Sequence, residues 1–168
     1  VRVASGSLGQ GLSVAVGVAQ AKKLANDNHL VYVLMGDGEQ EEGQIWEAAM
    51  YAPAKNVDNI VAIVDYNKKQ IDGPTDDVLS LGDLRAKYES FGWKVWECNG
   101  NDMQELVDTF NKIRENAHKG QSQILLAHTE MGMGVDFMMG THKWHGVAPN
   151  DEQAANALSQ LKETLGDY

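Results

Sequence analysis

Apolar residues along this chain fall into short blocks of two kinds that alternate. Residues 12–25 (LSVAVGVAQAKKLA) carry small apolar side chains on nearly every side, with Lys22 and Lys23 near the end. That pattern predicts a buried helix whose terminal cations suit its dipole, and it follows a glycine-rich segment from Ser5 to Gly11. Leu30 to Met35 (LVYVLM) is a continuous apolar run rich in β-branched residues and predicts a strand covered on both faces, ending at Gly36-Asp37-Gly38. A second helix is predicted over 43–55, and Ile60 to Asp65 (IVAIVD) repeats the buried-strand pattern and ends at Tyr66-Asn67. The rhythm continues with a helix near Asp83–Ser90, a strand over Trp93–Glu97, a helix over Asp102–Ala117 and a strand over Ile124–His128. A last helix opens at Asn150-Asp151, whose side chains can cap it.

Strands and helices of these lengths in alternation predict an α/β fold: a doubly wound, mostly parallel sheet with helices on both faces. Two segments break the rhythm, 66–82 and 129–149. Both contain turn residues, such as Gly73-Pro74 and Gly140-Thr141, and both follow strand C-termini, where open α/β sheets bind ligands. With 168 residues, 43% of them hydrophobic, the chain can fill one core, so a single domain over 1–168 is expected. The chain opens on Val1 with a glycine-rich loop close behind, and the expectation is a domain truncated at its amino terminus.

Charge narrows the partners. Fourteen Lys and Arg against 24 Asp and Glu give a net charge of −10, which works against nonspecific attraction to nucleic acid or to anionic lipid. An acidic protein that binds an anionic ligand must use a metal ion, backbone N–H groups or helix N-termini in place of a basic patch. The single Cys98 excludes an intramolecular disulfide and fits a reducing compartment. No apolar run approaches the length of about 18 residues that spans a bilayer, and a cytoplasmic protein is expected.

The chemistry concentrates at two strand ends. Gly36-Asp37-Gly38 closes one strand and Asn67 the next, and in a parallel strand–helix–strand unit those ends share one edge. A carboxylate and an amide oxygen converging there suit a hard cation such as Mg²⁺, which takes oxygen ligands in octahedral geometry. The flanking glycines let backbone N–H groups approach a phosphate with no Cβ in the way. Without a ligand, the same residues would serve as a tight turn and a loop cap.

The stretch GDGEQEEGQIWEAAMYA (36–52) followed by VDNIVAIVDYNKKQIDG (57–73) resembles the thiamine-diphosphate signature, in which GDG precedes an Asn by some thirty residues. It is most similar to the transketolase version, and the resemblance runs from Gly6-Ser7-Leu8-Gly9-Gln10-Gly11 to Gly140-Thr141-His142-Lys143-Trp144-His145-Gly146. The resemblance implies Mg²⁺ held by Asp37, the Asn67 side chain and the Lys69 carbonyl, with the Gly38 N–H against the diphosphate. Lys69 stands where the family usually has an apolar residue, which a carbonyl ligand tolerates. Gly6 and Leu8 would line the aminopyrimidine through their backbone. His145 would sit beside the diphosphate and the donor hydroxyl and move protons, a task its near-neutral pKa suits. Glu42 would lie at a subunit interface and connect cofactor sites, although as an acid at a helix start it also suits the dipole. Met131 replaces a basic residue that many relatives carry.

The implied activity is transfer of a two-carbon ketol unit from a ketose phosphate to an aldose phosphate, as in the pentose phosphate pathway. The implied partner is a pyrimidine-binding domain or C-terminal subunit, which brings the glutamate that activates the cofactor. The chain alone would then hold an incomplete site, as a fragment or as part of a split amino-terminal subunit, and a homo-oligomer is expected, joined through apolar surface that the missing domains leave open. The alternatives are another thiamine-diphosphate enzyme, of the deoxyxylulose-phosphate synthase or pyruvate dehydrogenase type, or a phosphate-binding module with no catalytic duty.

Overall fold

A computed structural model describes residues 3–162. Its main sheet has four strands: β1 (Val31–Gly36), β2 (Ile60–Tyr66), β5 (Lys94–Asn99) and β6 (Gln123–His128), in the order β1-β2-β6-β5. All three pairings are parallel, with Gly36 level with Asp65, and Tyr66 and Asn99 both level with His128. The parallel arrangement brings all four C-terminal strand ends to one edge.

Helices cover the two faces unequally. One face packs α1 (Gln10–Leu24), α2 (Gly43–Ala54) and α4 (Leu84–Ser90) against Val33, Met35, Ala62, Val64, Ile124 and Leu126. The other face carries α5 (Met103–Glu115), whose Leu106, Phe110 and Ile113 pack on Val61, Ile63, Leu125 and Ala127. That single helix does not reach across β1. Tyr32 touches the Phe110 ring edge-on yet stays 48% exposed, and Leu34 is 71% exposed.

The helix starts follow from local chemistry. Asp83 and Asp102 accept N–H bonds from the first turns of α4 and α5. Asn150 and Gln153 form a reciprocal capping box at the head of α6 (Asp151–Gln160). The strand ending at Cys98-Asn99 buries the thiol, and burial pushes its pKa up.

Three expectations need correction, the first being that β1 is covered on both faces, because Tyr32 and Leu34 are exposed. Segment 66–82 is not all loop: Lys69–Gln70 (β3) pairs antiparallel with Gly73–Pro74 (β4), and Thr75–Leu79 (α3) is a short helix. Nor is α1 buried all round. Leu12, Ala15, Val16 and Ala19 face the sheet, while Val14, Val18 and Leu24 are exposed, because no described element covers that side. On the neighbouring helix Met50 and Tyr51 are exposed as well. Among the described residues, no helix is long and apolar enough to cross a membrane.

Candidate functional site

Where β1 ends, the chain turns through a single 3-10 turn (Gly38–Glu41) before entering α2. Asp37 caps this turn and is only 1% exposed. One carboxylate oxygen accepts from Gly38 N at 2.8 Å, and the other accepts a short hydrogen bond from Lys68 N. Thus the segment after β2 folds back onto the residue after β1. Burial pushes the Asp37 carboxyl up despite these backbone donors, and nearby Asp65 pushes the same way. Among the described residues Asp37 has no cationic side-chain partner.

Asn67 and Lys69 flank the contact. Asn67 Oδ1 accepts from Lys69 N at 2.9 Å, which uses one of the two lone pairs of that oxygen. Lys69 pairs with Pro74, a residue with no N–H to offer its carbonyl. The Lys69 ammonium points elsewhere, to Glu130 at 3.1 Å. The donors gathered here are therefore hard oxygens: one carboxylate, one amide and one backbone carbonyl. Among the described residues, no group of three His, Cys, Asp or Glu side chains could hold an ion unaided. A divalent cation would suit this donor set and would offset the buried negative charge. It would draw its remaining ligands from a bound anion and water.

Gly38 is tightly enclosed, since a Cβ there would lie 2.9 Å from the Cβ of Gln70. Gln70 is held in turn by its amide, which donates to Glu41 at 2.9 Å. The Gly38 N–H is engaged by Asp37, so an incoming phosphate would have to share or displace that bond.

The glycine-rich loop lies at the same end. Gly6 and Leu8 are exposed, and Gly9 is buried with φ 86° at the start of α1. Glu42 lies at the N-terminus of α2 without a side-chain capping bond, and its Cβ packs on Gly9. Hydrogen bonds thus link Asp37 to Gly38 and to the Asn67–Lys69 segment, and Gly9, just after Gly6 and Leu8, joins this edge through Glu39 and packs against Glu42.

His145 is placed differently. It lies exposed in a turn of the 129–149 segment, and its backbone N–H donates to His142 O at 2.9 Å. Among the described residues its side chain makes no hydrogen bond to the Asp37 cluster. The segment is nevertheless anchored nearby, because Glu130 accepts from both Lys69 Nζ and Gly140 N, and Trp144 donates to Phe137 O at 2.9 Å.

Sequence reasoning missed the supports of this edge. Glu39 reads as a helix-start acid, but its carboxylate accepts from Gly9 N at 2.8 Å and from Gly36 N at 3.0 Å. Gln40, fully buried, donates to Gly36 O at 2.9 Å and accepts from Tyr88 OH at 2.6 Å. Gln40 stands in the polar run Gly38-Glu39-Gln40-Glu41-Glu42, and nothing in that run marks it for burial.

Comparison with known proteins gives a consistent result. Residues 1–166 match the family described as transketolase, thiamine diphosphate binding domain. The chain is 44% identical over 165 residues to one subunit of the apulose-4-phosphate transketolase of Phocaeicola vulgatus, spanning 98% of this chain and 58% of that protein. It is 36% identical over 163 residues to the 6-deoxy-6-sulfo-D-fructose transketolase subunit SqwG of a Clostridium species, spanning 97% and 58% respectively. Among solved structures, the transketolase of Campylobacter jejuni superposes with a TM-score of 0.86 at 30% identity, over 95% of this chain and 26% of that one. The chain therefore spans a little over half the length of these subunit relatives and a quarter of the C. jejuni enzyme.

Proposed function

This chain belongs to the transketolase thiamine diphosphate-binding family, and from that premise we propose that it holds the diphosphate of thiamine diphosphate through Mg²⁺ as one side of a shared catalytic site. The enzyme would transfer a two-carbon ketol unit from a ketose phosphate to an aldose phosphate. The chain would act within the amino-terminal part of a transketolase, as in the relatives that are named as transketolase subunits, with a pyrimidine-binding partner completing the site. The proposed setting is the cytoplasm.

One observation carries the reading: a buried carboxylate without a cationic partner, Asp37, sits at the tip of one strand and bonds the segment Asn67–Lys69 at the tip of its neighbour. In the proposed mechanism Asp37, the Asn67 amide oxygen and the Lys69 carbonyl hold the ion. The Gly38 N–H, bonded to Asp37 at 2.8 Å, would meet the diphosphate. The backbone of Gly6 and Leu8 supports the aminopyrimidine, and the exposed Leu8 side chain faces whatever closes the site. His145, on the loop anchored by Glu130, takes and returns a proton at the donor hydroxyl. Glu42, exposed beside Gly9, meets the partner. When bound, thiamine diphosphate supplies a nucleophilic carbon that carries the ketol unit. Uncovered apolar side chains at Tyr32, Leu34, Val14 and Val18 support burial against further protein, and a homo-oligomer belongs to this proposal.

Calorimetric titration tests the core of the proposal. Wild type is expected to bind thiamine diphosphate with Mg²⁺ in preference to ATP with Mg²⁺, and Asp37→Ala is expected to lose the Mg²⁺-dependent part. A preference for ATP, or full binding by Asp37→Ala, would refute it. Activity is then read by adding a matching pyrimidine-domain chain and measuring ketol transfer.

A further inference from the structure

Glu39, like Asp37, divides its two carboxylate oxygens between separate parts of the candidate site. One oxygen accepts from Gly9 N at 2.8 Å, at the entrance to α1, and the other from Gly36 N at 3.0 Å, at the end of β1. These two backbone groups are far apart in sequence; packing of α1 on β1, with Gly11 beside Val33, brings them near each other, and Glu39 bonds to both. Glu39 stands on the one-turn 3-10 helix immediately after Asp37, and the side chain is half-buried.

The two attachment points differ in how much other support they have. Gly36 is fixed three times over: by Glu39, by the Gln40 amide on its carbonyl at 2.9 Å, and by parallel pairing with Asp65. The loop before Gly9 has much less. Its described bonds are local, Ser7 N to Ser5 Oγ at 3.0 Å and Gln10 N to Ser7 O at 3.4 Å, and Gly6 has no heavy atom within 4 Å of where its Cβ would lie. Gly9 does touch Glu42, but through packing alone. A charge-assisted bond from a carboxylate to a backbone N–H is stronger and more directional than such a contact. Removing it should free the loop and leave the strand end in place.

We infer that Glu39 is a positioning residue that holds the Ser5–Gly9 loop at a fixed distance from the Asp37 strand end, so that the two halves of one elongated cofactor are met in register. The inference rests on the cofactor reading above. It assigns different duties to the two ends: the strand end answers to the diphosphate, and the loop answers to the heterocycle. Glu39 itself touches neither.

The test uses this chain with Glu39→Ala and the near-isosteric Glu39→Gln, and two probes, Mg²⁺ with thiamine diphosphate and Mg²⁺ with inorganic pyrophosphate. Amide hydrogen exchange at Gly9 is read in parallel. Glu39→Ala is expected to weaken thiamine diphosphate by about tenfold or more, to leave pyrophosphate unchanged within about twofold, and to speed Gly9 exchange. Glu39→Gln keeps one acceptor and the side-chain volume, so it should fall between wild type and Glu39→Ala. Equal losses for both probes would show a general structural role and overturn the inference, as would unchanged Gly9 exchange or unchanged thiamine diphosphate affinity. Wild type that binds neither probe refutes the cofactor reading itself and takes the positioning role with it. Wild type that binds both, with variants that do the same, refutes the positioning role alone.

Discussion

Replacing Gly9 by Ala isolates the geometry on which the glycine-rich loop depends. Gly9 has φ 86°, a left-handed conformation that costs a Cβ-bearing residue about 1–2 kcal/mol. A Cβ there would also lie 2.9 Å from the Cβ of Glu42. Both atoms are fixed to backbone, so relieving the overlap must move a helix start, at about 1–3 kcal/mol. The lower freedom of Ala in the unfolded chain returns about 0.4–1 kcal/mol. The net loss is then roughly 1–4.6 kcal/mol, a large share of the 5–15 kcal/mol typical of a folded domain. Urea unfolding followed by circular dichroism measures it. Gly6→Ala is the control, since nothing lies within 4 Å of its Cβ position and its φ is not left-handed, and its effect should stay within about 0.5 kcal/mol. Adding Glu42→Gly to Gly9→Ala removes the contact and leaves only the φ cost, because Gly is nearly neutral at a helix N-cap. A Gly9→Ala effect no larger than that of Gly6→Ala would refute the reasoning, and so would a double variant with no recovery.

Two further outcomes follow from side-chain bonds. Tyr88→Phe keeps the ring contacts with Trp46 and Trp93 but orphans the buried Gln40 carbonyl, and a loss of roughly 1–3 kcal/mol should appear as a Tm lower by several degrees; an unchanged Tm would show that water replaces the hydroxyl. Glu97 is held below the usual carboxylate range by His128 at 2.8 Å and then by Arg85 at 2.5 Å. A depressed folded pKa contributes stability that is present above the unfolded value of about 4.3 and is lost as pH falls through the lower folded value. Because the partners are partly exposed, the contribution is below about 1 kcal/mol, and Glu97→Gln should lose that amount near neutrality and show a flatter acid limb, so that the two stability-versus-pH curves converge at low pH. A steeper acid limb in the variant would contradict this assignment.

Much of the architecture was readable because the hydrophobic period sets it. Leu30–Met35 and Ile60–Asp65 are apolar on consecutive positions and both supply strands, but only β2 is covered on both faces, since Tyr32 and Leu34 of β1 are exposed. The meeting of Asp37 with the Asn67 segment followed from parallel pairing of neighbours. Strand order was not readable, because periodicity records which face a residue occupies and says nothing of which strand lies beside it. The uncovered side of α1 was hidden for a related reason. Val14 and Val18 read as core residues, yet no described element covers them. Glu39 was missed because an acid at the start of a helix already has a sufficient local explanation, and its bond to Gly9 joins residues thirty positions apart.

The strand order carries a consequence for how the molecule is assembled. β6 comes last of the four strands in the chain, yet it occupies the slot between β2 and β5. During synthesis from the amino end, β2 must therefore wait with one side unzipped until residue 123 and beyond have emerged. Closure of so distant a pairing is slow, and an apolar strand with unsatisfied backbone is prone to join the wrong neighbour in the interval. The interval before β6 emerges is thus when the unpaired side of β2 is open to a wrong neighbour.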